Sequence, residues 1–150
     1  MSDKRIPLSG ELSYYGLSLL SFLRGSHPTL ADDSSFIAQR ADRAAEAYSE
    51  AIRTSATHPE AEAAASEALY RGLHFSPYDT LVHILWNEFA AEVPEEAART
   101  AALRLLAQPA LRDMLTKYDL ADDFAATPAY ERLYTELTGT VQILLEDGLQ

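Results

Sequence analysis

The sequence predicts an all-α fold: one compact multi-helical domain over residues 1–150, with about six helices, most starting at a proline. Three observations predict it. Alanine and leucine supply 25 and 22 of the 71 apolar residues, while valine and isoleucine together supply eight, a balance that favours helix over sheet. After Pro7 the prolines fall at 28, 59, 77, 94, 109 and 128, most of them just ahead of a run with helical periodicity, where a missing N–H costs nothing. Apolar and polar residues alternate nowhere for long, so no segment reads as a strand.

Helices are expected at 9–24, 34–55, 58–71, 77–92, 94–107 and 128–147, with a short helical piece near 109–117. The first rests on Leu17, Leu19, Leu20, Phe22 and Leu23. On the wheel of the second, Phe36, Ile37, Ala41, Ala44, Ala45, Ala47, Tyr48, Ala51 and Ile52 fill one half, and Gln39, Asp42, Arg43, Glu46, Ser49, Glu50 and Arg53 the other. Arg40 falls on the apolar half, where it must meet an acid from another helix, lay its stem along the core or hold a ligand. The third and fourth helices open on Thr57-His58-Pro59-Glu60 and Ser76-Pro77-Tyr78-Asp79, each with the form of a capping box. Glu95 and Glu96 follow Pro94, where the dipole at a helix start favours negative charge. Thr127 stands as a cap before Pro128, and Tyr130, Leu133, Tyr134, Leu137, Val141, Leu144 and Leu145 share one face of the last helix. Gly139 lies on the polar side of that helix, leaving open a kink or a close contact with a partner.

Charge bounds the function. Twenty-three acids against twelve bases give a net charge of −11, the wrong sign for attracting phosphate, so direct nucleic-acid binding is not expected. Residues 1–75 hold seven bases and ten acids, residues 76–150 five bases and thirteen acids, so the surplus concentrates in the second half as a solvated face or a partner surface. The absence of cysteine excludes a disulfide-stapled module and a thiol nucleophile. The apolar stretch after Lys4-Arg5 is broken by Ser18 and Ser21, too interrupted for a signal peptide, and no window approaches the length of a membrane span. A cytoplasmic protein away from membranes is the expectation.

The segment Arg71 to Val93 is where a site would lie. It holds His74, Tyr78, Asp79, His83, Trp86, Asn87 and Glu88, including two of the four histidines and the sole tryptophan. Asp79, His83 and Asn87 stand at i, i+4 and i+8, and an acid ahead of a histidine at that spacing can orient the imidazole as a general base or half of a metal site. The structural reading of the same residues makes Asp79 a helix cap, His83 and Asn87 partners of nearby backbone groups, and Trp86 a core or interface anchor. No zinc pattern on a helix, calcium loop, glycine-rich phosphate cradle or nucleophile elbow accompanies them, so no catalytic residue, metal or cofactor is assigned. Tyr14-Tyr15 and Tyr130 with Tyr134 read as an amphipathic core edge if the first and last helices pack together, or as an aromatic cage.

Longer strings carry a family resemblance. Tyr14-Tyr15, Leu17 through Arg24, Ser26-His27-Pro28, Arg40-Ala41-Asp42, Gly72 through Ser76, Tyr78 through Val82, Ile84 through Phe89, Tyr118-Asp119-Leu120, Asp122-Asp123-Phe124 and Tyr134 through Thr140 resemble a bacterial domain-of-unknown-function family. Its members are small acidic all-helical proteins, typical of Bacteroidetes and often carried on mobile elements. The resemblance implies an all-helical fold and brings no activity, catalytic residue or cofactor with it.

Three functions are therefore carried forward: a non-catalytic protein-interaction or accessory module, binding a protein partner or itself; an acidic mimic of DNA acting against host defence; and a small-ligand-binding or enzymatic protein using Asp79, His83, Trp86 and Asn87.

Overall fold

Each of the first four helices starts at a side chain that takes up a free amide. In the computed structural model, which describes residues 13–148, the chain is all-helical across those residues. They form α1 (Tyr14–Ser26), α2 (Ser34–Arg53), α3 (His58–Tyr70), α4 (Pro77–Glu88), α5 (Ala98–Leu106), α6 (Pro109–Leu115) and α7 (Ala129–Asp147), with 3₁₀ turns at Glu95–Ala97 and Phe124–Ala126. The expected opening of the first helix at residues 9–12 lies outside the described residues. Ser13 and Asp33 cap α1 and α2, each accepting an amide three residues on. Thr57 and Glu60 form the full reciprocal box at α3, with Pro59 in the first turn.

The helices fall into two compact units, one ending at Leu73 and the other beginning at His74. In the first, α2 packs against both α1 and α3. Its core joins Leu19 and Leu23 of α1, Ile37 and Ala44 of α2, and Ala65 and Leu69 of α3. Ala41 is also buried on α2 and Ala61 on α3, so short side chains line both elements. The polar half expected for α2 is exposed throughout. Arg40 Nη1 donates to the Leu69 carbonyl, 3.0 Å away, near the open end of α3, and its guanidinium lies 4.9 Å from the centre of the Phe36 ring. His27 Nε2 donates to the Leu73 carbonyl at 2.8 Å. Helix α2 ends in a Schellman pattern, with Ala56 N bonded to Ala51 O and Ser55 N to Ile52 O. Ser55 occupies the left-handed position of that motif, φ 73°.

In the second unit α4 packs against α5 and α7, and α6 against the same two helices. One continuous core runs from Phe75 through Leu81, Leu85, Leu105, Leu111 and Phe124 to Leu137 and Val141. Two boundaries differ from expectation. Helix α4 stops at Glu88 because the chain turns at Phe89, φ −131°, and both Phe89 and Val93 are buried. Pro94 holds an extended conformation ahead of the 3₁₀ turn, so α5 begins only at Ala98. At the start of α7 the cap position belongs to Pro128; the Thr127 hydroxyl instead donates back to the Phe124 carbonyl at 2.7 Å. Leu133, Leu137 and Val141 form the buried stripe of α7, as the periodicity requires.

Candidate functional site

Helix α4 has two faces because its apolar residues are too many for one stripe and too few for all sides. Ser76 Oγ accepts from Asp79 N at 2.9 Å and Pro77 takes the first helical position, which fixes the register. Tyr78, Leu81, Val82, Ile84 and Leu85 then turn inward, and His83 and Asn87 are left exposed with Asp79 and Trp86 half-buried beside them. Among the seven candidates Tyr78 is the one packed into the core. His74 stands before the helix, where its backbone N–H donates to Asp122 Oδ1 at 3.0 Å.

The imidazole of His83 is oriented by the main chain. Its Nδ1 lies 2.8 Å from the Asp79 carbonyl, and since a carbonyl only accepts, Nδ1 carries the proton. In the neutral ring Nε2 therefore offers a lone pair. The His83 ring meets Trp86 edge to face, centroids 5.6 Å apart. The guanidinium of Arg99, from α5, lies 5.5 Å from the centre of the indole ring, and the indole N–H donates to the Glu95 carbonyl at 3.3 Å. Trp86 is thus fixed by groups from α4, α5 and the 3₁₀ turn.

One turn further along, Asn87 Nδ2 donates to Tyr134 Oη at 3.4 Å, and Tyr134 Oη donates to Glu88 Oε2 at 3.2 Å. Burial pushes the Tyr134 phenol above its ordinary value; the Asn87 bond opposes this and the Glu88 carboxylate adds to it. Beyond Glu88 a groove of about 460 Å³ lies between the end of α4 and α7, bordered by Glu88, Glu92 and Glu146 with Phe89 and Leu145. The structure thus joins Asp79, His83 and Trp86 in one contact chain and Asn87 with Glu88 in a second, and leaves His74 and Tyr78 outside both. What this face offers is contact chemistry: an aromatic plane, a guanidinium, an imidazole, an amide and a carboxylate on a firm helical base.

The sequence does not assign Arg99 or Tyr134 to this face. Arg99 is spaced for the polar side of α5, and only the fold lays it on Trp86. Tyr134 belonged to an aromatic group: Tyr130 and Tyr134 do lie together, centroids 6.3 Å apart, as do Tyr14 and Tyr15 at 5.6 Å within the first unit. That unit also holds a polar cluster with a weak sequence signal, His58 and Glu62 at i, i+4. There His58 Nδ1 shares a 2.6 Å hydrogen bond with Tyr48 Oη, while Nε2 lies 3.7 Å from Glu62. Burial, then the nearby Glu62 and Tyr48, raises the phenol of Tyr15. Among the described residues no group of three or more His, Asp or Glu side chains is placed to hold a metal, and no helix is long and apolar enough to cross a membrane.

Comparison with known proteins places this geometry in a family. The crystal structure of protein PG0816 from Porphyromonas gingivalis is 46% identical and superposes with a TM-score of 0.88, over 91% of this chain and 93% of that one. No curated protein matches. A family model described as "Domain of unknown function (DUF1896)" matches residues 8–149, and the chain belongs to that family.

Proposed function

We propose that the chain is a non-catalytic protein-interaction module, bound to its partner through the outer face of α4. The observation that carries this is Trp86, the sole tryptophan, half-buried, with His83 against it edge to face and the Arg99 guanidinium over its ring, and with Asn87 and Glu88 alongside. Tryptophan, tyrosine and arginine dominate the energetics of protein interfaces; the aromatic pair bury large areas at small entropic cost, and arginine adds a planar fork of donors. The firm setting of the indole supports the same reading, since a preorganised anchor loses little freedom on binding.

The small-ligand alternative asks for a concave pocket over Asp79, His83, Trp86 and Asn87, and the exposure of His83 and Asn87 gives it less support. The DNA-mimic alternative asks for an unbroken acidic field; five exposed bases, Arg99, Arg104, Arg112, Lys117 and Arg132, interrupt the acids of the second unit. A cytoplasmic accessory role for a mobile element is the setting the family resemblance suggests, and a family match running across both units supports treating the chain as one domain.

The test is affinity capture from an extract of the encoding bacterium with wild-type chain and Trp86→Ala as baits, with melting curves of both. A protein held by the wild type and lost with Trp86→Ala, at similar melting temperature, is the expected result. Equal retention by both baits refutes the assignment of the face.

A further inference from the structure

The groove between the end of α4 and α7 is built differently from the Trp86 face. On α7, Gln142, Leu145 and Glu146 stand at i, i+3 and i+4 and so share one side of the helix. Across from them α4 ends at Glu88, and the Phe89 carbonyl accepts from Val93 N at 2.9 Å and from Glu92 N at 3.0 Å, a tight turn that brings Glu92 to the rim. Phe89, buried in the core, and Leu145, half-buried, give the groove an apolar floor. Two of the three carboxylates are held in place: Tyr134 donates to Glu88 at 3.2 Å, and Gln142 donates to Glu146 at 3.4 Å. Among the described residues no base pairs with Glu88, Glu92 or Glu146.

The chemistry selects an occupant. The three carboxylates do not converge closely enough to hold a metal ion, so their charge is met by cationic groups set apart from one another. Solvated ions would leave Leu145 facing water, whereas an apolar side chain laid along the floor is withdrawn from it. The surroundings add a long-range pull: residues 74–150 hold thirteen acids and five bases, a field that draws in positively charged chains. We propose that this groove takes a basic segment of a partner protein. An apolar side chain of the segment rests on Phe89 and Leu145, and the bases flanking it meet Glu88 and Glu92 on the α4 side and Glu146 on the α7 side. Arginine suits these positions best, because its planar fork takes a carboxylate at two points. Trp86 does not border the groove, so the proposal stands or falls without the Trp86 face.

Fluorescence anisotropy of the full chain with a labelled peptide carrying two leucines between two arginines tests this. The expected result is saturable binding in roughly the micromolar range, as suits a contact far smaller than a standard interface. Combining Glu88→Gln, Glu92→Gln and Glu146→Gln should weaken it roughly tenfold or more at an unchanged melting temperature, since glutamine keeps the size and an oxygen for Tyr134. Removing as many charges elsewhere, by Asp119→Asn, Asp123→Asn and Glu131→Gln, should weaken it less than about twofold, while serines in place of the leucines of the peptide should weaken it roughly tenfold. Trp86→Ala should leave it unchanged. No saturation up to about 1 mM overturns the proposal. Equal losses from the two sets of substitutions, or equal binding of the serine peptide, reduce the effect to general attraction by an acidic surface and overturn it. Displacement by an equal concentration of spermine shows that a small polyamine suffices, and loss in Trp86→Ala moves the peptide to the other face; either overturns it as well.

Discussion

Replacing Gly139 by alanine should stabilise the protein by about 1 kcal/mol. The number follows from what the position lacks. Gly139 lies within the 19 residues of α7 and is not among the glycines with positive φ, so alanine can adopt its backbone conformation. The added methyl touches nothing within 4 Å, so neither a clash nor a new contact enters. What remains is the conformational freedom that glycine loses on folding and alanine does not, the roughly 1 kcal/mol separating the two in a helix interior. In a chain of this size that corresponds to a rise of about 2–4 °C in melting temperature. Thermal unfolding followed by circular dichroism measures it. A melting temperature that stays level or falls refutes the reasoning, for it would mean that the helix is distorted at Gly139 or that something close packs there.

The same substitution at Gly72 should act in the opposite sense. Its φ of +80° forces alanine into the left-handed region, costing about 1–2 kcal/mol, while the new methyl only grazes Arg40 Nη2 at 4.0 Å; a denaturation midpoint equal to wild type would contradict this. Ser55→Gly, at φ 73° in the Schellman turn of α2, should recover up to about 1 kcal/mol in the same assay. Arg40→Met removes the donor to the Leu69 carbonyl and should cost about 1–2 kcal/mol, read as a lower urea midpoint. Tyr118 donates to Glu136, which holds that carboxyl below its ordinary value, with Lys117 contributing less, and raises the phenol. The bond therefore stabilises the fold between the two ordinary values, fading as pH falls through the folded-state pKa of Glu136 or rises through that of Tyr118. In Tyr118→Phe the Glu136 carboxyl should titrate at a higher pH by NMR, and the stability gap to wild type should close in acid; an unmoved titration would show the bond to be absent in solution.

Where the determinants of structure are local, they were legible. Thr57 and Glu60 define the start of α3 through a motif four residues long, and the alternation of faces in α2 and α7 follows from spacing alone. The misreadings share a cause, a long-range contact overriding a local signal. The stretch after Glu88 is apolar enough to continue the helix, yet Phe89 and Val93 reach the core only if the chain turns. Thr127 has the form of a cap, but burial of Phe124 draws the preceding turn inward and its carbonyl claims the hydroxyl. At the site, the spacing of Asp79 and His83 correctly brought the two residues together; that the ring would bond the carbonyl of Asp79 is a matter of side-chain rotamer, which spacing does not specify. The stacking of Arg99 on Trp86 depends on where α5 lies, and no pattern within either helix encodes it.

The alanines shared by α2 and α3 have a consequence for how this family can change. Ala44, Ala61 and Ala65 are wholly buried and Ala41 nearly so, which leaves no slack for a larger side chain between these helices. A valine or leucine at any of them must push the two backbones apart, typically at a cost of about 1–3 kcal/mol, unless a residue across the seam shrinks in the same lineage. The first unit therefore acts as a steric filter on sequence drift, admitting changes in compensating pairs. In the second, Leu105, Leu111, Leu133 and Leu137 can each exchange for another large apolar side chain, and the filter narrows to the wholly buried Ala98 and Ala102.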